Sequence, residues 1–221
     1  MRLIVYPLPI RMVLKLNNIR GDSLTRYDLQ IIADWIEPDS KILDLGCGDG
    51  QLLQHLQQHK NTTGYGLELS TNSVVQCIKN GVNVIQSNLD QGLSQFDDNS
   101  FDTVVLSLTL QAVHKPKTLL CEMLRVGKQG IVTFPNFAYW RNRLQLSSSG
   151  KMPISKELPF KWYDTPNIHL CTIQDFDQLC QQLNYKIEAS IAVNSNGKTN
   201  PGLKLLPNLF GEIALCRFSR A

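Results

Sequence analysis

No stretch of this chain approaches the ~20 consecutive apolar residues needed to cross a bilayer, so no membrane association is expected. There is no strong excess of charge of either sign: 22 Lys and Arg stand against 19 Asp and Glu, a net charge of +3. The basic residues are scattered, and Trp140-Arg141-Asn142-Arg143 is too short to make a patch. The electrostatic footprint of a nucleic-acid binder is therefore missing. The six cysteines, Cys47, Cys77, Cys121, Cys171, Cys180 and Cys216, include no CxxC pair and no Cys/His quartet. That argues against a zinc site or a disulfide framework. Reduced, mostly buried thiols in a cytoplasmic, metal-free protein are expected instead. Internal repeats and low-complexity tracts are absent. So is any evident Ser-His-Asp or Cys-His arrangement, which argues against acyl transfer by the chain itself.

At 221 residues with 43% hydrophobic content, the chain has the length and apolar content of one doubly wound domain. The segment Met1 to Ile10 faintly resembles a signal peptide, but it carries two prolines, reaches Arg11 quickly and lacks a small-residue cleavage site. A start at Met12 would remove it. The reading is an N-terminal extension over 1–23, of which 1–11 is not native, followed by a domain over 24–218.

What is present is concentrated in Lys41-Ile-Leu-Asp-Leu-Gly-Cys-Gly-Asp-Gly50. An apolar run reaches an acid, and glycine then recurs at Gly46, Gly48 and Gly50 around Cys47. Glu68 closes a second apolar stretch, ~20 residues on, where the acid of a nucleoside-binding βαβ unit falls. Such an acid can accept hydrogen bonds from a ribose diol. A pyrophosphate rests on loop amides and a helix N-terminus, where negative side chains are costly. Here Asp44 precedes the loop and Asp49 lies inside it. An acidic loop suits the sulfonium and ammonium of S-adenosylmethionine, which has no phosphate. Cys47 reads as a small packing residue and not as a nucleophile.

Apolar periodicity predicts a helix over 26–37, with Leu29, Ile32, Ala33 and Ile36 on one face. Strands follow at 41–45, 63–67, 82–86, 101–108 and 130–134, separated by helices over about 50–58, 71–79 and 116–126. Ser70 is placed to cap the second of these. Continuous apolar strands alternating with helices indicate a parallel sheet covered on both faces. The rhythm breaks over 136–170, a stretch with no clear period that holds three prolines with Trp140 and Trp162. It is too long for an ordinary loop, and a cap over the strand ends fits it best. Thr172-Ile-Gln-Asp175 has the spacing of a capping box. A strand at 185–193, a Gly/Asn/Pro-rich loop and a strand at 211–218 end the chain as a hairpin, which places one antiparallel strand in the sheet.

On these residues the chain resembles class I S-adenosylmethionine-dependent methyltransferases and, more narrowly, the MetW family of bacterial methionine-biosynthesis proteins. Besides the glycine motif, the resemblance rests on Ser100-Phe-Asp102, Leu108-Thr-Leu-Gln-Ala112, Phe134-Pro-Asn-Phe137 and Trp162-Tyr-Asp-Thr-Pro-Asn-Ile-His169. It covers about residues 24–218. It implies an α/β, doubly wound, Rossmann-like fold with a mostly parallel seven-stranded sheet and the last strand antiparallel. It also implies S-adenosylmethionine or S-adenosylhomocysteine as ligand and homoserine O-acyltransferase as partner.

By the superfamily pattern, Asp44 and the loop Gly46, Cys47, Gly48 and Gly50 face the methionine end of the ligand. Glu68 takes the ribose hydroxyls, Leu69 and Leu89 sandwich the adenine, Asn88 contacts its amino group, and Ser107 lies near the sulfonium. No catalytic residue is assigned. His114, Tyr163, Asp164 and His169 are candidate bases without an evident partner, each better read as structural. Trp140, Trp162, Tyr163 and His169 mark a substrate or partner surface. The Asn/Asp-Pro-Pro-aromatic motif of amide and base methylases is missing, since Phe134-Pro-Asn-Phe137 places its asparagine after the proline. An accessory protein that supports the acyltransferase is the leading reading. An active small-molecule methyltransferase is the alternative, and an NAD-binding oxidoreductase is disfavoured by the acidic loop.

Overall fold

The computed structural model describes residues 24, 26–194, 197 and 201–221, so the expected extension over 1–23 lies outside the described residues. A seven-stranded sheet in the order β3-β2-β1-β4-β5-β7-β6 forms the centre. The strands are β1 Lys41–Leu45, β2 Thr63–Glu68, β3 Val84–Gln86, β4 Phe101–Ser107, β5 Gly127–Pro135, β6 Tyr185–Val193 and β7 Ile213–Arg220. β1 to β5 pair in parallel. β7 runs antiparallel to both β5 and β6, as expected of the last strand.

Side-chain alternation divides the sheet into two cores. Leu43, Leu45, Val104, Leu106, Val132 and Phe134 point to a face covered by α4 Pro116–Val126 and α6 Ile173–Gln182. Ile42, Val105 and Ile131 point the other way, against α1 Tyr27–Trp35 and α2 Gln51–Lys60, with Cys77 of α3 Thr71–Lys79 in the same cluster. Burial on both faces is why these strands read as continuous apolar runs. The helix faces follow their sequence periods: Leu29, Ile32, Ala33 and Ile36 are all buried, as are Leu119, Leu120, Met123 and Leu124. Ser70 caps α3 by accepting from the Ser73 N–H. Thr172 and Asp175 form a reciprocal capping box at the start of α6.

Two expectations are corrected. The cap is not irregular throughout: α5 Trp140–Ser149 is a ten-residue helix. Asn142 is the buried residue of α5, whereas Leu144 and Leu146 are exposed. The apolar residues therefore do not trace the buried face. The Gly/Asn/Pro-rich connection between β6 and β7 holds two short helices, α7 Pro201–Leu205 and α8 Pro207–Phe210. Each begins at a proline, which suits the first helical turn because its missing N–H would have no intrahelical partner there.

Asn136 joins the sheet to the cap. It is fully buried just past β5. Its Nδ2 donates to the carbonyls of Asn208 (3.1 Å) and Gly211 (2.9 Å), and its Oδ1 accepts from the Ala138 N–H (3.2 Å). Asn136→Ala would remove the partner of three backbone groups, two of them on buried residues. The variant should lose roughly 2–4 kcal/mol of unfolding free energy by denaturant titration. A loss below about 1 kcal/mol would show that these bonds do not hold the junction.

Candidate functional site

The strand order reverses between β1 and β4. In open α/β sheets the crevice beyond the carboxyl ends of the strands at such a switch point is where ligands bind. The loop after β1 enters this crevice with Gly46, Gly48 and Gly50 at φ of 71°, 59° and 80°, values that side chains adopt at a cost. Gly46 also lies close under Thr109, where an added Cβ would come within 2.8 Å of the hydroxyl.

The loop amides are bonded within the protein. Gly46 and Cys47 N–H both donate to the Leu67 carbonyl, at 2.8 and 3.1 Å, and Gly50 N–H donates to the Cys47 carbonyl at 3.0 Å. Gly48 N–H donates to Glu68 Oε2 at 2.9 Å. Asp49 sits at the N-terminus of α2, where Oδ1 accepts from the Gln51 N–H and Oδ2 from its side-chain amide. A pyrophosphate needs those amides and that helix end, and here a carboxylate already holds the position. The geometry thus strengthens the case against a dinucleotide beyond what loop composition alone could do.

Asp44 is 3% exposed, at the end of β1 on the α1 face. Burial pushes its carboxyl up to about 7; the Arg26 guanidinium partly offsets this, and the Glu68 carboxylate adds to it. Arg26 Nη2 donates to Ser107 Oγ (2.8 Å) and pairs with Asp28, whose Oδ2 in turn accepts from Ser107 (3.1 Å). Ser107 also lies 3.3 Å from the Thr133 hydroxyl. Alternation places Asp44, Ser107 and Thr133 on one face at the strand ends, and the start of α1 brings its N-cap Arg26 and first-turn Asp28 to Ser107. Sequence reasoning missed Arg26 and Asp28. Their contacts to Ser107 span about eighty residues, and only an acid beside a base at a helix start could have hinted at them.

The expected nucleoside residues are adjacent. Glu68 Oε1 accepts from the Leu69 and Ser70 N–H groups, each at 2.9 Å, so its carboxylate ties the glycine loop to the start of α3. Leu69 is 63% exposed and Leu89 half-buried. Asn88 Oδ1 accepts from the Asp90 N–H and caps a 3-10 turn at Leu89–Gln91. Cys47 Sγ lies 3.7 Å from Cys77 Sγ, and burial raises both thiols. An inert packing role therefore suits Cys47.

The candidate bases lie apart from Asp44. His114 Nδ1 meets Asp90 Oδ2 at 2.7 Å on an exposed edge. The His169 ring lies 3.4 Å from the His114 carbonyl through Nε2, and its backbone N–H donates to the Gln111 carbonyl at 3.0 Å. Asp164 and Tyr163 lie in the exposed cap. Leu108, just past β4, has φ of 48°, an outlier for a bulky side chain that sequence could not reveal. Trp162 and Tyr163 are 73% and 64% exposed and pack edge to face on each other. Trp140 is exposed too, with the Arg141 guanidinium over its ring. Among the described residues no group of three His, Cys, Asp or Glu side chains could hold a metal ion, and no helix is long and apolar enough to cross a membrane.

Comparison with solved structures gives the fold. An S-adenosylmethionine-dependent methyltransferase from Mesorhizobium loti matches at a TM-score of 0.66 and 17% identity, over 89% of this chain and 99% of that one. Another, from Archaeoglobus fulgidus, matches at 0.64 and 15%, over 90% and 95%. Among curated proteins, the bifunctional methionine biosynthesis protein MetXA/MetW of Rhodopirellula baltica is 36% identical over 213 residues. That alignment spans 91% of this chain and 34% of the relative, so the chain covers about a third of that protein's length. The family model described as methionine biosynthesis protein MetW matches residues 26–218. With that match running from the guanidinium over the strand ends to the last strand of the sheet, the chain belongs to the MetW family of methionine-biosynthesis proteins.

Proposed function

We propose that residues 24–218 act as one cytoplasmic, methyltransferase-like domain that binds S-adenosylmethionine or S-adenosylhomocysteine and, through the cap over 136–170, supports a homoserine O-acyltransferase. The observation that carries the ligand reading is the buried acid Asp44 within the field of the Arg26 guanidinium at the strand ends, beside a loop whose amides are bonded internally. A methionine moiety carries an ammonium and a carboxylate. Asp44 would face the cation and Arg26 the carboxylate. Glu68 would accept from the ribose hydroxyls, and Leu69 and Leu89 would flank the base. The partner reading is supported by the relative whose name joins MetXA and MetW in one bifunctional chain. It is supported also by the exposed aromatic side chains of the cap, the residue types that dominate interface energetics.

An active methyltransferase is the second reading. It is favoured by the strained Leu108 and by the Gln111 Oε1, buried without a partner beside the cap residues Ile168 and His169. The bound ligand would supply an electrophilic methyl group, and the chain's residues would orient it and exclude water.

Two outcomes are expected. A cationic ligand favours ionised Asp44, so binding below about pH 7 releases a proton from the carboxyl that burial holds at about 7. Calorimetric affinity should rise with pH by up to about tenfold per unit between about 5 and 7 and then level off. Asp44→Asn should bind more weakly and lose that slope. An equal slope in the variant would remove Asp44 from the ligand's charged end. In the second experiment the chain is co-purified with its cognate acyltransferase. Trp162→Ala and Tyr163→Ala, which remove exposed side chains and leave the fold intact, should each weaken the complex by about 1–3 kcal/mol. Unchanged binding by both would move the partner surface away from the cap.

A further inference from the structure

Charge is unevenly divided along this chain. Five of the 22 basic residues and two of the 19 acidic ones fall in the cap over 136–170, which leaves seventeen of each elsewhere. The cap therefore carries the whole net charge of +3. Its cations, Arg141, Arg143, Lys151, Lys156 and Lys161, are all exposed. Of its two acids, Asp164 is exposed and Glu157 is half-buried. The cations are spaced too widely to form a basic run in the sequence.

Their pairing is also unusual. Elsewhere, exposed cations meet acids: Lys128 lies 2.6 Å from Asp102, and Lys186 lies 3.0 Å from Glu188. Among the described residues, Arg141, Lys151 and Lys161 form no ion pair. Two of them lie over aromatic rings instead. The Arg141 guanidinium is 5.4 Å from the centre of the Trp140 ring, and Lys161 Nζ is 5.7 Å from that of Tyr163. Trp162 packs edge to face on the same Tyr163, with ring centres 5.6 Å apart. Each cluster sets a positive charge with no acid partner beside exposed apolar surface. The complement of such a cluster is a carboxylate next to an apolar side chain. A nucleic-acid backbone would match the cations, but it would leave the exposed Leu144, Met152, Ile154 and Ile168 without apolar partners. A membrane surface is disfavoured by α5. Its exposed Leu144 and Leu146 stand about 200° apart around the helix and make no single apolar stripe.

We propose that the cap docks on an acidic, apolar-bearing surface of its protein partner. Lys161 and Arg141 face partner carboxylates, and Trp162 and Tyr163 supply the apolar contact. The inference rests on the reading that the cap meets a homoserine O-acyltransferase. It adds the chemistry of the surface that the enzyme presents and an electrostatic component to the encounter.

The test follows association of the purified full chain with its cognate acyltransferase by biolayer interferometry, between about 50 and about 500 mM sodium chloride. Screening over that range should weaken the complex by about tenfold or more, mainly through slower association. Lys161→Glu and Arg141→Glu, both at exposed positions, should each weaken the low-salt complex by about tenfold and flatten its salt dependence. Lys161→Arg keeps the charge, and Lys79→Glu makes the same reversal at the exposed end of α3. Both should stay within about twofold of wild type. A complex that forms but responds neither to salt nor to the two cap reversals would overturn this inference and leave the partner reading standing. Absence of a complex at every salt concentration would remove the partner reading and this inference with it. In a parallel arm the chain alone is mixed with phosphatidylserine vesicles and with single-stranded RNA, and neither should bind. Binding to one of them that is lost in both cap reversals would assign the cap to that anion and overturn the proposal.

Discussion

Asp44 is an acid within a sheet that is apolar on both faces. A lone carboxylate in that position is expensive to ionise, and much of the surrounding site follows from managing that charge. Arg26 supplies the opposite charge from the N-cap position of α1. To stay there, Arg26 is held by Asp28 and Ser107, and Ser107 is tied to Thr133 on the next strand. The glycine loop turns away from Asp44 at once, because its amides are committed to Leu67 and Glu68. The same commitments leave a crevice that is acidic, carries one guanidinium and offers few amides, which suits a zwitterionic methionine moiety and does not suit a phosphate.

Much of this architecture could be read from the chain. Strands buried on both faces appear as unbroken apolar runs, and α1, α4 and α6 bury faces at helical spacing, so their positions were legible to within a few residues. Asp44, the glycines and Glu68 were legible because one βαβ unit sets their spacing locally. α5 was hidden because its buried residue is the polar Asn142 while Leu144 and Leu146 face outward. α7 and α8 are five and four residues long, too short to display a period. Arg26 and Asp28 were hidden for another reason: their role exists only once α1 lies across the ends of β4 and β5.

The cap departs from the logic of the sheet. Trp162, Tyr163 and Trp140 hold large apolar surface in water, whereas the residues that anchor the cap, Asn136 and Asn142, are polar and buried. A cap built only to cover the strand ends would be expected to show the reverse. The arrangement fits a segment whose inner side manages polar groups and whose outer side meets another protein. The MetXA/MetW relative, three times longer than the matched region, joins the two named units in a single polypeptide.

The central claim is that this fold supports acyl transfer by a partner. It is tested most directly by assaying homoserine acylation by the cognate acyltransferase, purified alone and with this chain, in the presence and absence of S-adenosylmethionine. The account predicts low activity for the enzyme alone, a large rise on adding the chain, and a further change when the ligand occupies the crevice beside Asp44. An acyltransferase fully active alone and unaffected by the chain would contradict it.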